Sequence, residues 1–464
     1  MEVIAIILCL GLLIFFAYRG FSVIAFAPIF ALLAALISGL SIMPTYTEIF
    51  LPNVANYVKI YFPFFLLGAI FGKAMEHSGA AEAIAKTIVK KLGANRAILA
   101  VILACGVLAY GGVSIFVVAF AVYPFGAALF KEAGIPKRLL PATIVVGAFT
   151  FCMDALPGTP QIQNTIPMKY FNTDLYAAPV FGITGAVITL VLSLLYLEWR
   201  KRKAITAGEG YGENHKNEPA IVEDVNLPNI WISVLPLISV LAITLILQKI
   251  IFPTWNIASW ATQAPYNIPA AGLTGTMNNW ALMIALVIGI TLAFSINPKR
   301  MKGNLALAIN AGAIGSLLAV LNTASEVGFG NVIKTLPGFK VIANALININ
   351  PHGSPLLSEA VSVNVLAGVT GSASGGMSIV LEMFSKQYLA WAQASNINPE
   401  LLHRVAAMAA GGMDSLPHNG AVITLLGICG LTHKQSYKDM FVITLIKTSA
   451  VFIVIALQAI FHFV

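Results

Sequence analysis

Two aspartates stand where charge is expensive. Asp154 and Asp414 each lie inside an apolar run, in Cys152-Met153-Asp154-Ala155-Leu156-Pro157 and Gly412-Met413-Asp414-Ser415-Leu416-Pro417. Proline removes a backbone donor and disfavours helix in the residue before it. Gly158-Thr159-Pro160 and His418-Asn419-Gly420 extend the two breaks. Each span is therefore expected to be two half-helices with an unwound middle that holds the carboxylate. An ionised Asp at a bilayer centre costs ~2.5–3.5 kcal/mol on insertion scales, so such a residue is read as functional, with a proton or cation as partner. Asp154 and Asp414 are the candidate coupling residues for H+ or Na+.

Glycine-serine turns lie upstream at matched distances. Gly111-Gly112-Val113-Ser114 and Gly371-Ser372-Ala373-Ser374 are offset by the 260 residues that also separate Asp154 from Asp414. No Lys or Arg falls in the central third of the segments carrying these turns and breaks. An anionic ligand would then draw on half-helix N-termini, each worth roughly half a charge and offering free N–H groups. Four such N-termini are expected, after Ser114, Pro160, Ser374 and Gly420. The candidate substrate-binding residues are Gly111, Gly112, Ser114, Gly158, Thr159, Gln161, Gly371, Ser372, Ser374, His418 and Asn419. Gln163, Asn164, Asn322, Thr323, Ser362 and Asn364 are read as interhelical hydrogen-bond formers. A carboxylate substrate would bring a third negative charge to two aspartates, which is tolerable only if protons or Na+ neutralise them. That is an electrostatic reason for symport. No catalytic residue, metal site or organic cofactor is expected.

The elements that position these residues follow from composition. The 464 residues are 58% hydrophobic and only 10% charged, with a mean hydropathy of +0.85. Soluble chains carry roughly 25% charge. The balance excludes a soluble enzyme, a disordered chain and a disulfide scaffold. The net charge of +8 is no nucleic-acid signal, because the basic residues sit between apolar runs. Cys9, Cys105, Cys152 and Cys429 all lie in apolar runs and are read as small buried hydrophobes. Met1 to Tyr18 lacks the basic start of a secretory signal and is read as a first span.

A helix crosses the hydrocarbon with ~20 apolar residues. Runs near that length fall at 3–18, 21–40, 57–74, 176–197, 229–250, 279–296, 303–322 and 439–462, with interrupted ones at 139–170 and 400–430. About ten crossings are expected. Segment 97–130 is bounded by Arg96 and Lys131, and its first apolar run, of ~13 residues, rises only ~20 Å. Helix in, glycine turn, helix out is a re-entrant hairpin, and 353–395 is its counterpart. Most of the 27 basic residues fall in loops on one side if both termini are outside; Lys169, Lys334, Lys340 and Lys386 run against that rule. The expected fold is an all-α polytopic membrane protein with two inverted-topology repeats. Residues 1–197 form the first, with hairpin 97–130 and broken helix 139–170. Residues 198–228 are a cytoplasmic linker. Residues 229–464 form the second, with hairpin 353–395 and broken helix 400–430. A weaker echo pairs Ala74-Met75-Glu76 with Ala324-Ser325-Glu326. Inverted repeats with broken helices meeting at the midplane are a framework of secondary transporters.

Several stretches resemble the gluconate-permease (GntP) family of bacterial organic-anion symporters. They are Gly68-Ala69-Ile70-Phe71-Gly72-Lys73, Ser78-Gly79-Ala80-Ala81, Ile84-Ala85-Lys86-Thr87, and Leu156-Pro157-Gly158-Thr159-Pro160 followed by Phe171-Asn172-Thr173-Asp174. The resemblance implies a multi-pass carrier of the bacterial cytoplasmic (inner) membrane for sugar acids or hydroxycarboxylates, usually proton-coupled. It implies kinship with the wider ion-transporter superfamily, in which homodimers work as elevators with a fixed scaffold and a moving, hairpin-bearing domain. Two departures bear on the substrate. The gluconate branch carries an acidic residue after the tyrosine of the first turn, where this chain has Gly111 after Tyr110. Its Leu-Pro-Pro-His-Pro-Gly-Pro stretch reads here as Leu156 to Pro160, without histidine. A shorter acid such as 3-hydroxybutyrate is therefore expected beside gluconate. Competing readings are an intramembrane aspartyl protease using Asp154 and Asp414 as a dyad, although its Gly-x-Gly-Asp motif is missing, and a passive organic-anion channel. The expected partners are the small anion, the lipid bilayer and a second copy of the chain, with no nucleic acid.

Overall fold

The computed structural model describes all residues except Met1, Gly20, Ser114, Asn214, 219–226, Asn256, 269–272, Asn348, 350–353, Gly371 and His418. The regular elements of the described residues are all helices, with no strand. Among the described residues six helices are long and apolar enough to cross a membrane: Ile42–His77, Pro179–Thr206, Ile230–Thr254, Thr276–Ile296, Leu305–Thr335 and His433–Phe461. The first two helices, Glu2–Tyr18 and Val23–Ile37, have 17 and 15 residues, short of the ~20 that span hydrocarbon unaided. The remaining two expected crossings are the interrupted ones, and both are broken.

One order of elements occurs twice. The long helix Leu51–His77 is followed by the short helix Ala80–Leu92, the helix pair Ala97–Tyr110 and Ile115–Glu132, the pieces Leu140–Ala148, Phe151–Asp154 and Ile162–Phe171, and the long helix Pro179–Thr206. The long helix Leu305–Thr335 is followed by Phe339–Ile347, the pair Pro355–Thr370 and Ala373–Ala394, the pieces Pro399–Gly412 and Gly420–Cys429, and the long helix His433–Phe461. The proline-containing gaps lie where Pro157 and Pro417 forbid continued helix.

Packing interlocks the two sets. The outgoing arm of the first pair, Ile115–Glu132, lies against Gly420–Cys429, and that of the second, Ala373–Ala394, lies against Ile162–Phe171. Leu51–His77 runs along Leu305–Thr335, closely enough that a Cβ on Gly312 would stand 2.8 Å from Ile70 Cα. Only glycine permits that approach.

Polar contacts sort the loops into two ends. Pro179–Thr206 and His433–Phe461 are antiparallel: Val180 N–H donates to the Val464 carbonyl, whereas Arg200 Nε donates to Asp439 Oδ1 at 2.5 Å. Twenty residues of helix separate Val180 from Arg200, about 30 Å. Around Asp439 gather Arg138 Nη1 at 3.0 Å and Tyr196 Oη at 2.8 Å. Arg138 also grips Glu209 with two bonds, 2.6 and 2.8 Å long, which hold the Glu209 carboxyl below its ordinary value. Lys137 meets Glu218 at 2.7 Å, and Asn217 donates to the Gly427 carbonyl. The linker is thus pinned across the foot of the first helix pair and the end of the second broken helix. The other end holds Lys249–Asp174 and the Glu400 carboxylate, which accepts from Ala178 N.

Candidate functional site

The two aspartates, equal in sequence, are unequal in space. Asp154 is the last residue of Phe151–Asp154 and is fully buried. Its Oδ2 accepts from Lys447 Nζ, which arrives, also buried, from the final long helix. A Cβ on Gly411 would fall on this carboxylate, so glycine there is what lets the second broken helix reach the ion pair. The long terminal helix thus delivers a buried ammonium to Asp154, away from the residues that line the cavity. Asp414 is different. Its Oδ2 accepts from Gln163 Nε2 at 3.0 Å, and its Oδ1 from Ala373 N–H and Asn419 Nδ2, both at 3.3 Å. No ion pair to it is found among the described residues, and it lines a cavity of about 400 Å³.

That cavity lies where the first residues of four helices meet. Ile115, Ile162, Ser374 and Ala421 all line it, at the starts of Ile115–Glu132, Ile162–Phe171, Ala373–Ala394 and Gly420–Cys429. The N-terminal turns of a helix carry unpaired N–H groups and partial positive charge. Opposite them the wall is apolar and small: Phe64, Gly68 and Ala69 from one long helix, and Ala311, Gly315 and Ala319 from the other. Lys73 also lines it and pairs with Glu76 at 2.7 Å.

Of the expected substrate-binding residues, Gly112, Gln161, Ser374 and Asn419 line the cavity together with Asp414. Gln161 Nε2 donates to the carbonyls of Ala109 and Val113 at 2.7 and 3.1 Å, clasping the first turn. Gly112, at φ +93°, presses on Pro160, where a Cβ would come within 2.7 Å of Cγ. Gly111, Gly158, Thr159, Ser372 and Asp154 do not line it. Gly111 packs on Leu237, and Gly158 on Tyr176. Ser372 caps its helix by accepting from Gly375 N–H at 3.1 Å. Ser114, Gly371 and His418 lie outside the described residues.

Sequence reading missed the supports. Unwound backbone at membrane depth needs donors for its carbonyls. Arg404, fully buried, ties the first break to the turn before Pro179–Thr206: it donates to the carbonyl of Asp154 at the break, to those of Leu175 and Ala177 in that turn, and to Asn164 Oδ1, at 2.7 to 3.1 Å. Asn164 donates to the Thr159 and Leu175 carbonyls and meets His403 Nε2 at 3.0 Å. Arg404 lies near the start of the interrupted run at 400–430 and Lys447 inside the run at 439–462; only the packing of one half on the other supplies their partners.

A polytopic helical membrane protein with two broken helices around a polar cavity is the architecture of a carrier. The chain belongs to the GntP permeases, since the family model described as "GntP family permease" matches residues 1–461. It is 51% identical over 470 residues, 99% of both chains, to the "Uncharacterized transporter YxjC" of Bacillus subtilis (strain 168). It is 25% identical over 400 residues, 82% of both chains, to the "High-affinity gluconate transporter" of Escherichia coli (strain K12). The fold is similar to the crystal structure of the Alcanivorax borkumensis YdaH transporter, with a TM-score of 0.55 and 14% identity over 87% of this chain and 86% of that one.

Proposed function

We propose that the protein is a secondary active symporter that imports a small organic anion, either a hydroxycarboxylate such as 3-hydroxybutyrate or a sugar acid such as gluconate. The observation that carries this reading is the cavity into which four helix N-termini and the Asp414 carboxylate project. The N-termini attract a carboxylate; Asp414 repels it until a proton or Na+ neutralises that group. Substrate and cation then bind together because neither is stable alone. Asp154 is already compensated by Lys447, so it serves as fixed counter-charge while Asp414 carries the coupling cation. The two sets of elements are inverted repeats, the hairpins enter from opposite sides, and hairpins and broken helices move as an elevator against the paired long helices, in a homodimer of the bacterial inner membrane with both termini outside. The ion pair also disfavours a protease dyad, which needs two carboxyls sharing one proton.

The test is reconstitution into liposomes with uptake of labelled 3-hydroxybutyrate, gluconate, lactate and citrate under imposed pH or Na+ gradients. Accumulation of one of these above equilibrium, only with a gradient, is the expected result. Mere equilibration under every gradient would make it a channel, and peptide cleavage abolished by Asp154→Asn would make it a protease.

A further inference from the structure

A third acidic side chain lies behind the tip of the second helix pair. Glu326, on Leu305–Thr335, is 3% exposed, and its Oε2 has no hydrogen-bond partner. The carboxylate abuts the first turn of Ala373–Ala394, so closely that a Cβ on Gly375 would overlap it. It lies within hydrogen-bonding reach of Ser372. Tyr57, from the neighbouring long helix, is the titratable group that faces it. The Tyr57 hydroxyl is buried beside the Ser378 and Thr323 hydroxyls. Glu382 and Lys334 form a separate cluster further along these helices, with Tyr170 and Lys169. No ion pair to Glu326 is found among the described residues.

An isolated buried carboxylate is too costly to persist without neutralisation. A metal cation fits poorly, because the described residues bring no set of acidic, histidine or cysteine ligands together at this carboxylate. A proton fits: it neutralises the carboxyl, and the neutral acid keeps its contact with the Ser372 hydroxyl. A route to the cavity exists, since Ser374 lines it and stands 3.4 Å from Ser372 Oγ and 3.3 Å from Thr323 Oγ1. The same helix start binds Asp414 through Ala373 N–H, so one N-terminus is shared by two carboxyls.

We infer that Glu326 is a second proton-carrying site, loaded from the cavity through Ser374 and Ser372 and unloaded when the second hairpin shifts against Leu305–Thr335. H+ adds to the carboxylate to give the neutral acid, and the same H+ leaves to water on the other side. The carboxyl and the serines sit on different elements, so their separation changes with any such shift. The transport role rests on the symporter reading above; protonation of Glu326 does not.

Two measurements test this. Infrared pH titration of the purified protein in lipid should show a protonated-carboxyl component that vanishes as pH rises, missing from Glu326→Gln while the components of the other buried carboxyls remain, and shifted in Ser372→Ala, which keeps the carboxyl. Identical spectra for wild type and both variants would overturn the assignment. In proteoliposomes, the proton-to-substrate ratio for labelled gluconate, read from the reversal of uptake under opposed gradients, should fall by one proton in Glu326→Gln. An unchanged ratio would remove Glu326 from the cycle. Should wild type accumulate neither gluconate nor any of the other three labelled acids, the symporter reading fails while the infrared result still decides whether Glu326 holds a proton.

Discussion

The Asp154 carboxylate and the Lys447 ammonium form an ion pair with 0% and 1% side-chain exposure, joining the break of the first half to the last helix of the second. Removing one member of such a pair leaves a buried uncompensated charge, at a cost of ~3–5 kcal/mol, whereas removing both can be nearly neutral. Asp154→Asn and Lys447→Met should each lower the melting midpoint in detergent sharply, and the double variant should regain most of the loss. A double variant no better than either single would show that the pair does not act as a unit.

Arg404 should resist even conservative change. Its guanidinium serves four acceptor oxygens, on Asp154, Asn164, Leu175 and Ala177. Lysine has three donors without the fork geometry, and each buried acceptor left open costs ~1–3 kcal/mol. Arg404→Lys should therefore lose about 3 kcal/mol or more of stability, read as a lowered thermal midpoint. An unchanged midpoint would contradict the bracing role.

The cavity should be wet. Gly315 lines it with open space where a Cβ would be, and the four native cysteines are buried. A water-soluble thiol reagent should label Gly315→Cys rapidly and leave the native thiols alone, and bound substrate should slow the reaction. Failure to label would mean that the cavity is closed to water.

The pinned linker should loosen in acid. The Glu209 carboxyl is held below its ordinary value by its bonds to Arg138. The anchoring it contributes is complete above the ordinary glutamate range and is lost as pH falls through the lowered value. Hydrogen-exchange protection over residues 207–218, with the intrinsic pH dependence of the amide rate divided out, should fall on that descent in wild type, and Glu209→Gln should be weakly protected at every pH. Protection that does not change with pH in wild type would contradict this.

Much of the site was legible in the chain because the signals are local. Pro157 and Pro417 mark the helix breaks, the glycine-serine turns mark the hairpin tips, and a constant offset pairs them. Asn419 and Gln161 were identifiable because cap residues at a break have a local signature. Lys447 and Arg404 were not, because their burial is a consequence of one half packing on the other, and nothing in their neighbouring residues encodes it. The same holds for the inequality of Asp154 and Asp414. Near-identical motifs receive different partners: Lys447 for Asp154, and Gln163, the Ala373 N–H and Asn419 for Asp414. Glu326 was visible as an echo of Glu76, but its isolation beside Gly375 depends on how closely two long-separated elements meet.

Asp414 is the hinge of the account. Labelled anion uptake should be compared in proteoliposomes holding wild type, Asp414→Asn and Asp154→Asn/Lys447→Met, under inward proton or Na+ gradients. Wild type should accumulate the anion above equilibrium. Asp414→Asn, which keeps an acceptor oxygen for Gln163, should fold, equilibrate the anion and lose accumulation by about tenfold or more, while the paired neutral variant retains gradient-driven uptake. Full accumulation by Asp414→Asn would contradict the proposed coupling.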